Sequence, residues 1–201
     1  LKNRFAPQVD VPVDRRFVGL DAYRQAIDYL RPGDLAILAT PPGFRWVHFR
    51  YAIEKSLNVF MEKPVATDAE GYRKVIAAAK KADEKGLKVG VGLQRRHSPG
   101  YVNGIKQIHD GKYGDLLCLQ AYWNGGGIWW RGPQEGWSEM MAQVNNWYHF
   151  NWLAGDQVLQ QLIHSIDKGA WVMRDEPPLK AWGMGGRAAC FGESFGDLFD
   201  H

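Results

Sequence analysis

VFMEKPVATD, Val59 to Asp68, is the stretch whose reading decides the fold. Three apolar residues suited to a buried strand run into an acid, a base and a proline, and then into a helix start. A strand that delivers charge at its carboxyl end and passes at once into a helix is half of a βαβ unit.

The flanking sequence repeats the pattern. LAILAT, residues 35–40, is a continuous apolar run ending in PPG, as suits a buried parallel strand followed by a loop. FRWVHFRYAIEKS reads as a helix and leads into the strand NVFMEKP. The next helix is expected to start in a capping box formed by Thr67 and Glu70 and to close at Gly86. KVGVGL, residues 88–93, is the third strand. Strand and helix alternating over short connections predict right-handed βαβ units in a doubly wound parallel sheet, an α/β fold. Such sheets take ligands beyond the carboxyl ends of their strands. One crevice should therefore hold Thr40, Pro41 and Pro42 after the first strand, Glu62 and Lys63 after the second, and Gln94, Arg95, Arg96 and His97 after the third.

The 201 residues, 45% of them hydrophobic, suffice for one large domain or two small ones. A net charge of +3 from 25 basic and 22 acidic residues, with no block of either sign, argues against nucleic acid or membrane as the main partner. No apolar run reaches the ~18 residues needed to span a bilayer, and no signal peptide is visible. Cys118 and Cys190 are too few for a disulfide framework and have no metal-ligand neighbours, so they read as ordinary buried thiols. LKNRF at the start reads as the end of a helix, and GESFGDLFDH stops without a cap. Both ends are expected to be cut.

Composition shifts after residue 98, with eight of the nine tryptophans beyond residue 120. A domain boundary is expected there. LLCLQAYWNG reads as a strand, GGGIWWRGPQEGW as a loop, Asp156 to Met173 as a long helix, and LKAWGMGGRAACF as the start of another strand. At 100° per residue, Leu159, Leu162, Ile163, Ile166, Ala170 and Met173 share an apolar face, and Gln160, His164, Asp167 and Trp171 form a stripe at its edge. That stripe either is an exposed flank or lines a cleft. Lys63 is either half of a surface ion pair or, held in a cleft by Pro64, a proton donor of lowered pKa. Trp129, Trp130 and Trp137 either fill a core or stack on a sugar. The basic run 95–97 either holds an anionic group or is solvated.

The succession ILATPPGFRWVHF, VFMEKPVATD, VGVGLQRRHS and a helical HSID resembles the glucose-fructose oxidoreductase and inositol dehydrogenase family, Gfo/Idh/MocA, over nearly the whole chain. The resemblance implies a partial Rossmann domain at 1–98. Residues 99–201 would form part of an α/β substrate and oligomerisation domain with an open, mainly antiparallel sheet. It implies NAD or NADP as cofactor, with contacts from Thr40, Pro41, Pro42, His48, Glu62, Lys63, Pro64 and Gln94. Lys63 and His164 match the residues that move the hydroxyl proton. Gln160, Asp167, Arg95 and Trp130 are the candidate substrate contacts, and no metal is implied. The expected reaction is hydride transfer between the nicotinamide and a sugar, cyclitol or related polyol, by a protein that is a homo-oligomer when intact. The alternatives are a redox-neutral glycosidase, lyase or epimerase working through a transient keto-sugar, and a non-catalytic module. Two departures matter. Gln160 stands where many members carry an aspartate, and no GxGxxG occurs, as if the chain began beyond it. Compartment stays open, cytoplasmic or, with an upstream export signal, periplasmic.

Overall fold

Three short strands, β1 (Leu35–Leu38), β2 (Asn58–Met61) and β3 (Val89–Val91), pair in parallel in the order β1-β2-β3, with Ala36 opposite Val59 and Val59 opposite Val89. The computed structural model describes residues 8–125 and 128–186. Helices α1 (Ala22–Asp28), α2 (Arg45–Glu54) and α3 (Ala69–Glu84) accompany the strands. Side chains alternate along a strand, so Ala36, Leu38, Val59 and Met61 point to one face. There they meet Phe49, Ala52 and Ile53 of α2, Val75, Ala78 and Ala82 of α3, and Ile27 of α1 in one core. Each large aliphatic or aromatic side chain fully buried here contributes about 1.5–3 kcal/mol.

The parallel α/β sheet is as expected, but among the described residues helices cover one face only. Ile37 is 69% exposed on the other face, beside exposed Leu35, Phe60 and Val89. The reason is topological. Both crossovers step the same way across the sheet, and right-handed connections that step the same way place their helices on the same side. Only a reversal of strand order would bring helices to the second face.

Helix α3 starts one residue later than the capping box would have it. Asp68, not Thr67, is the N-cap, its carboxylate accepting from Gly71 N at 2.6 Å, and Glu70 pairs instead with Arg73 and Lys74. An aspartate next to the helix start caps it directly and adds its charge to the dipole. Gly86, at φ +68°, follows the last turn as anticipated.

The second region is helical, with α4 (Pro99–His109), α5 (Glu139–Asn145), α6 (Asn151–Ala154) and α7 (Ile163–Val172), the last entered through a π turn, Val158–Leu162. The expected antiparallel sheet does not form among the described residues. LLCLQAYWNG runs without a ladder, Leu117 is 94% exposed, and Cys118 is exposed rather than buried. An isolated strand has no partner for its backbone groups and gains nothing from pairing. The described part of LKAWGMGGRAACF is exposed at Leu179, Trp182 and Met184. The rest of it, Cys190, LKNRF and GESFGDLFDH lie outside the described residues.

The two regions are pressed together at glycines. A Cβ on Gly43 would come 2.4 Å from the carbonyl oxygen of Trp152, and one on Gly155 would come 2.8 Å from Thr67 Cα. These approaches bring the helical region over the carboxyl ends of the strands.

Candidate active site

At the end of β1, Leu38 O accepts from both Glu62 N (3.0 Å) and the buried guanidinium of Arg45 (2.5 Å). Burial pushes the Arg45 pKa down to about 10, and the nearby Glu62 charge works against that fall. This arrangement fixes where β2 ends and so where Glu62 and Lys63 leave the sheet. The Glu62 carboxylate lies across Gly92, where an added Cβ would stand 2.5 Å from Oε2. Lys63 follows, half-buried, joined to a buried Pro64 by a cis peptide bond.

Lys63 Nζ donates to the main-chain carbonyl of Gln160 in the π turn. One wall beside it is a mostly apolar cleft of about 480 Å³ that includes Pro64, Tyr72, Leu93, Leu159 and Ile163. Burial in this setting lowers the Lys63 pKa, and only Glu62 opposes it. One helical turn beyond Gln160 stands His164, 5% exposed, its Nδ1 buried without a hydrogen-bond partner. Burial lowers its pKa first, and the positive charges of Lys63, Arg95 and Lys168 lower it further against Asp167. His164 is therefore a neutral imidazole near pH 7.

Of the two readings of the polar stripe, an exposed flank is excluded: the stripe is more buried than the apolar face, whose Leu159 and Ile163 are half-buried. Gln160, His164 and Asp167 are buried and Ile166 is 47% exposed. The π turn advances fewer degrees per residue than an α turn and so shifts Gln160 relative to α7. The surface that α7 meets is also polar and aromatic. Arg96 donates to Asp167 at 2.8 Å and grips Asp175 at 2.6 and 3.1 Å, and Trp123 lies 5.8 Å from the His164 ring.

Several candidates are already occupied within the protein. The Gln160 amide donates to Ala154 O at 2.7 Å, and Asp167 is held by Arg96. His48 is buried between Tyr23 (4.3 Å) and Phe44 (6.0 Å), with Nδ1 3.0 Å from Thr40 Oγ1. Burial, then the charge of Arg45, pushes its pKa down to about 4. His48 and buried Pro42 thus support the crevice wall, while Thr40, Glu62 and Gln94 are exposed at the strand ends and Pro41 is half-buried. Trp130 packs edge-on against His149 at 5.0 Å. Trp123, in a segment read as a strand, was the tryptophan missed. So was the Arg96 clamp, since nothing local links residue 96 to residues 167 and 175.

Comparison with known proteins shows what the chain is similar to. Residues 10–92 match the model of an oxidoreductase family with an NAD-binding Rossmann fold. An inositol 2-dehydrogenase of Klebsiella pneumoniae is 29% identical over 165 residues, 79% of this chain and 41% of the relative. A scyllo-inositol 2-dehydrogenase (NADP+) of Bacillus subtilis is 32% identical over 91 residues, 45% of this chain and 25% of the relative. The structure of a myo-inositol 2-dehydrogenase from Lactobacillus plantarum shares the fold, with a TM-score of 0.56 and 24% identity over 75% of this chain and 40% of that one. The chain thus spans about 41% of the length of the Klebsiella relative.

Proposed function

We propose that the chain, whose residues 10–92 match the model of an oxidoreductase family with an NAD-binding Rossmann fold, is a member of the Gfo/Idh/MocA family and carries the proton-handling side of a dehydrogenase site acting on a sugar, cyclitol or related polyol. The observation that carries this reading is the bond from Lys63 to the π turn that leads into the helix of His164. It ties the carboxyl end of the second strand to the other region one helical turn before a buried imidazole whose Nδ1 has no hydrogen-bond partner.

The residues present suit one end of a nicotinamide dinucleotide. Thr40, Glu62 and Gln94 are exposed along the strand ends where such a cofactor lies. The glycine-rich turn that cradles a pyrophosphate does not occur in residues 1–201. NAD or NADP, when bound, supplies the hydride acceptor. The chain's part is to place a substrate hydroxyl between Lys63 and His164, to take its O–H proton on the imidazole, and to keep water away with the apolar wall. Lys63 donates a hydrogen bond to the hydroxyl oxygen and steadies the negative charge it gains as the imidazole takes the proton. Proton transfer of this kind is worth about 10²–10⁴-fold in rate. We place the cofactor-binding unit at 1–98 and the substrate unit at 99–201, and we expect a homo-oligomer. No helix among the described residues is long and apolar enough to cross a membrane.

Two measurements test this. Calorimetry of the 201-residue chain with NADH should show no micromolar binding, and such binding would overturn the assignment of the missing turn. In any form of the protein that carries a glycine-rich turn, reduction of NAD+ or NADP+ by a panel of cyclitols and sugars should depend on Lys63 and His164. Turnover that survives alanine at both positions would refute the reading.

A further inference from the structure

The two adjacent arginines of the third strand end have opposite fates. Arg96 is saturated by Asp167 and Asp175. Arg95 has no carboxylate partner among the described residues. Its guanidinium carbon lies 5.2 Å from the Trp123 ring and 5.9 Å from Tyr101, and the ammonium of Lys168 lies 5.5 Å from that same Tyr101 ring. Two cations thus share one aromatic platform, and Trp123 carries that platform up to His164 at 5.8 Å.

We infer that Arg95 and Lys168, standing on Tyr101 and Trp123 beside His164, form a receptor for an anionic group of the substrate, a carboxylate or a phosphate. The substrate would then be an acidic or phosphorylated polyol rather than a neutral one. This rests on the dehydrogenase reading for the word substrate, but not for the binding site itself.

Charge balance around the imidazole supports it. Lys63, Arg95 and Lys168 all act on His164, and the one carboxylate that acts on it, Asp167, is already spent on Arg96. A proton taken up by His164 would add a further positive charge to this group. An anion on the substrate would offset that charge at the moment it forms, which a neutral sugar could not do. Cation–π contact accounts for each cation lying near a ring. It does not account for two cations on one ring without a carboxylate partner among the described residues, while the neighbouring Arg96 has two.

The test is calorimetry on the 201-residue chain with four probes: D-glucuronate, myo-inositol 1-phosphate, myo-inositol and inorganic phosphate. One or both acids should bind at least about tenfold more tightly than myo-inositol, and which acid wins tells a carboxylate from a phosphate receptor. That preference should weaken with added salt and fall about tenfold in R95Q and in K168M, each checked for folding by circular dichroism. Equal binding of acids and myo-inositol would overturn the inference, as would an acid preference untouched in both variants. Inorganic phosphate binding as tightly as the sugar acids would overturn the substrate assignment too. The dehydrogenase reading fails separately. Arg95-dependent acid binding without NAD(P)+ reduction in a turn-carrying form would leave the receptor standing and remove the enzyme.

Discussion

Lys63 reaches across the cleft and donates to the backbone carbonyl of Gln160, 97 positions away in the sequence. The bond is long-range, uses a side chain on one side and a main-chain atom on the other, and ends in the turn that leads to His164. The role proposed for Lys63 predicts a distinctive variant. Lys63→Ala should lower turnover about 10²–10⁴-fold while cofactor affinity changes far less, since a proton-handling group acts mainly in the transition state. Steady-state kinetics and cofactor titration of a turn-carrying form measure both. Turnover within about twofold of the parent would leave Lys63 as a structural tie alone.

Arg96 is expected to be the costliest single charge to remove in the candidate site. Its partner Asp167 has a side chain only 8% exposed, so Arg96→Ala leaves a nearly buried carboxylate without its cation. The cost should be about 3 kcal/mol. Asp175, 55% exposed, should cost below about 1 kcal/mol when changed to Asn. Urea unfolding of the two variants reads the difference, and equal losses would contradict the buried clamp.

Acid should loosen the crevice wall through His48. Its pKa falls from the ordinary 6.5 to about 4 on folding, so the unfolded chain binds that proton more tightly. The stability tied to the neutral ring is complete above pH 6.5 and is lost as pH falls toward 4, at about 3 kcal/mol in all. His164, also lowered by burial, adds to the loss with the same sign. Denaturant unfolding at pH 7 and near pH 4.5 should show a drop that His48→Phe reduces. A drop of undiminished size in the variant would show that the acid lability lies elsewhere.

Much of this was legible in the sequence, and the reasons for the rest are physical. The three strands, the helix 44–56 and the crevice at the strand ends follow from apolar runs and turn residues, which act locally. His164 and Lys63 could be singled out because their motifs are local too. The burial of the Gln160, His164 and Asp167 stripe could not be foreseen, because its partners come from residues 96, 123 and 154, which no local pattern links to it. The strand at LLCLQAYWNG failed for the opposite reason. Its composition suits a strand, but a strand needs a neighbour, and none meets it among the described residues.

Gly155 offers the most direct test of how the two regions meet. Its φ of +79° lies in the left-handed region, and an added Cβ would stand 2.7 Å from Leu159 Cδ1 and 2.8 Å from Thr67 Cα. The leucine methyl can swing aside, but the Thr67 backbone belongs to the loop between Lys63 and α3 and cannot yield without moving that loop. Gly155→Ala should therefore combine backbone strain with overpacking, about 2–4 kcal/mol together. It should also pull Lys63 away from the Gln160 carbonyl. Gly86→Ala is the matched control, since Gly86 is equally left-handed at φ +68° but has nothing within 4 Å of its Cβ position. It should show the strain alone, about 1–2 kcal/mol. Unfolding measurements give the two energies, and amide hydrogen exchange across residues 158–164 reports the opening of the turn. Equal destabilisation by the two alanines, with unchanged exchange at the π turn, would mean that the regions do not meet at Thr67.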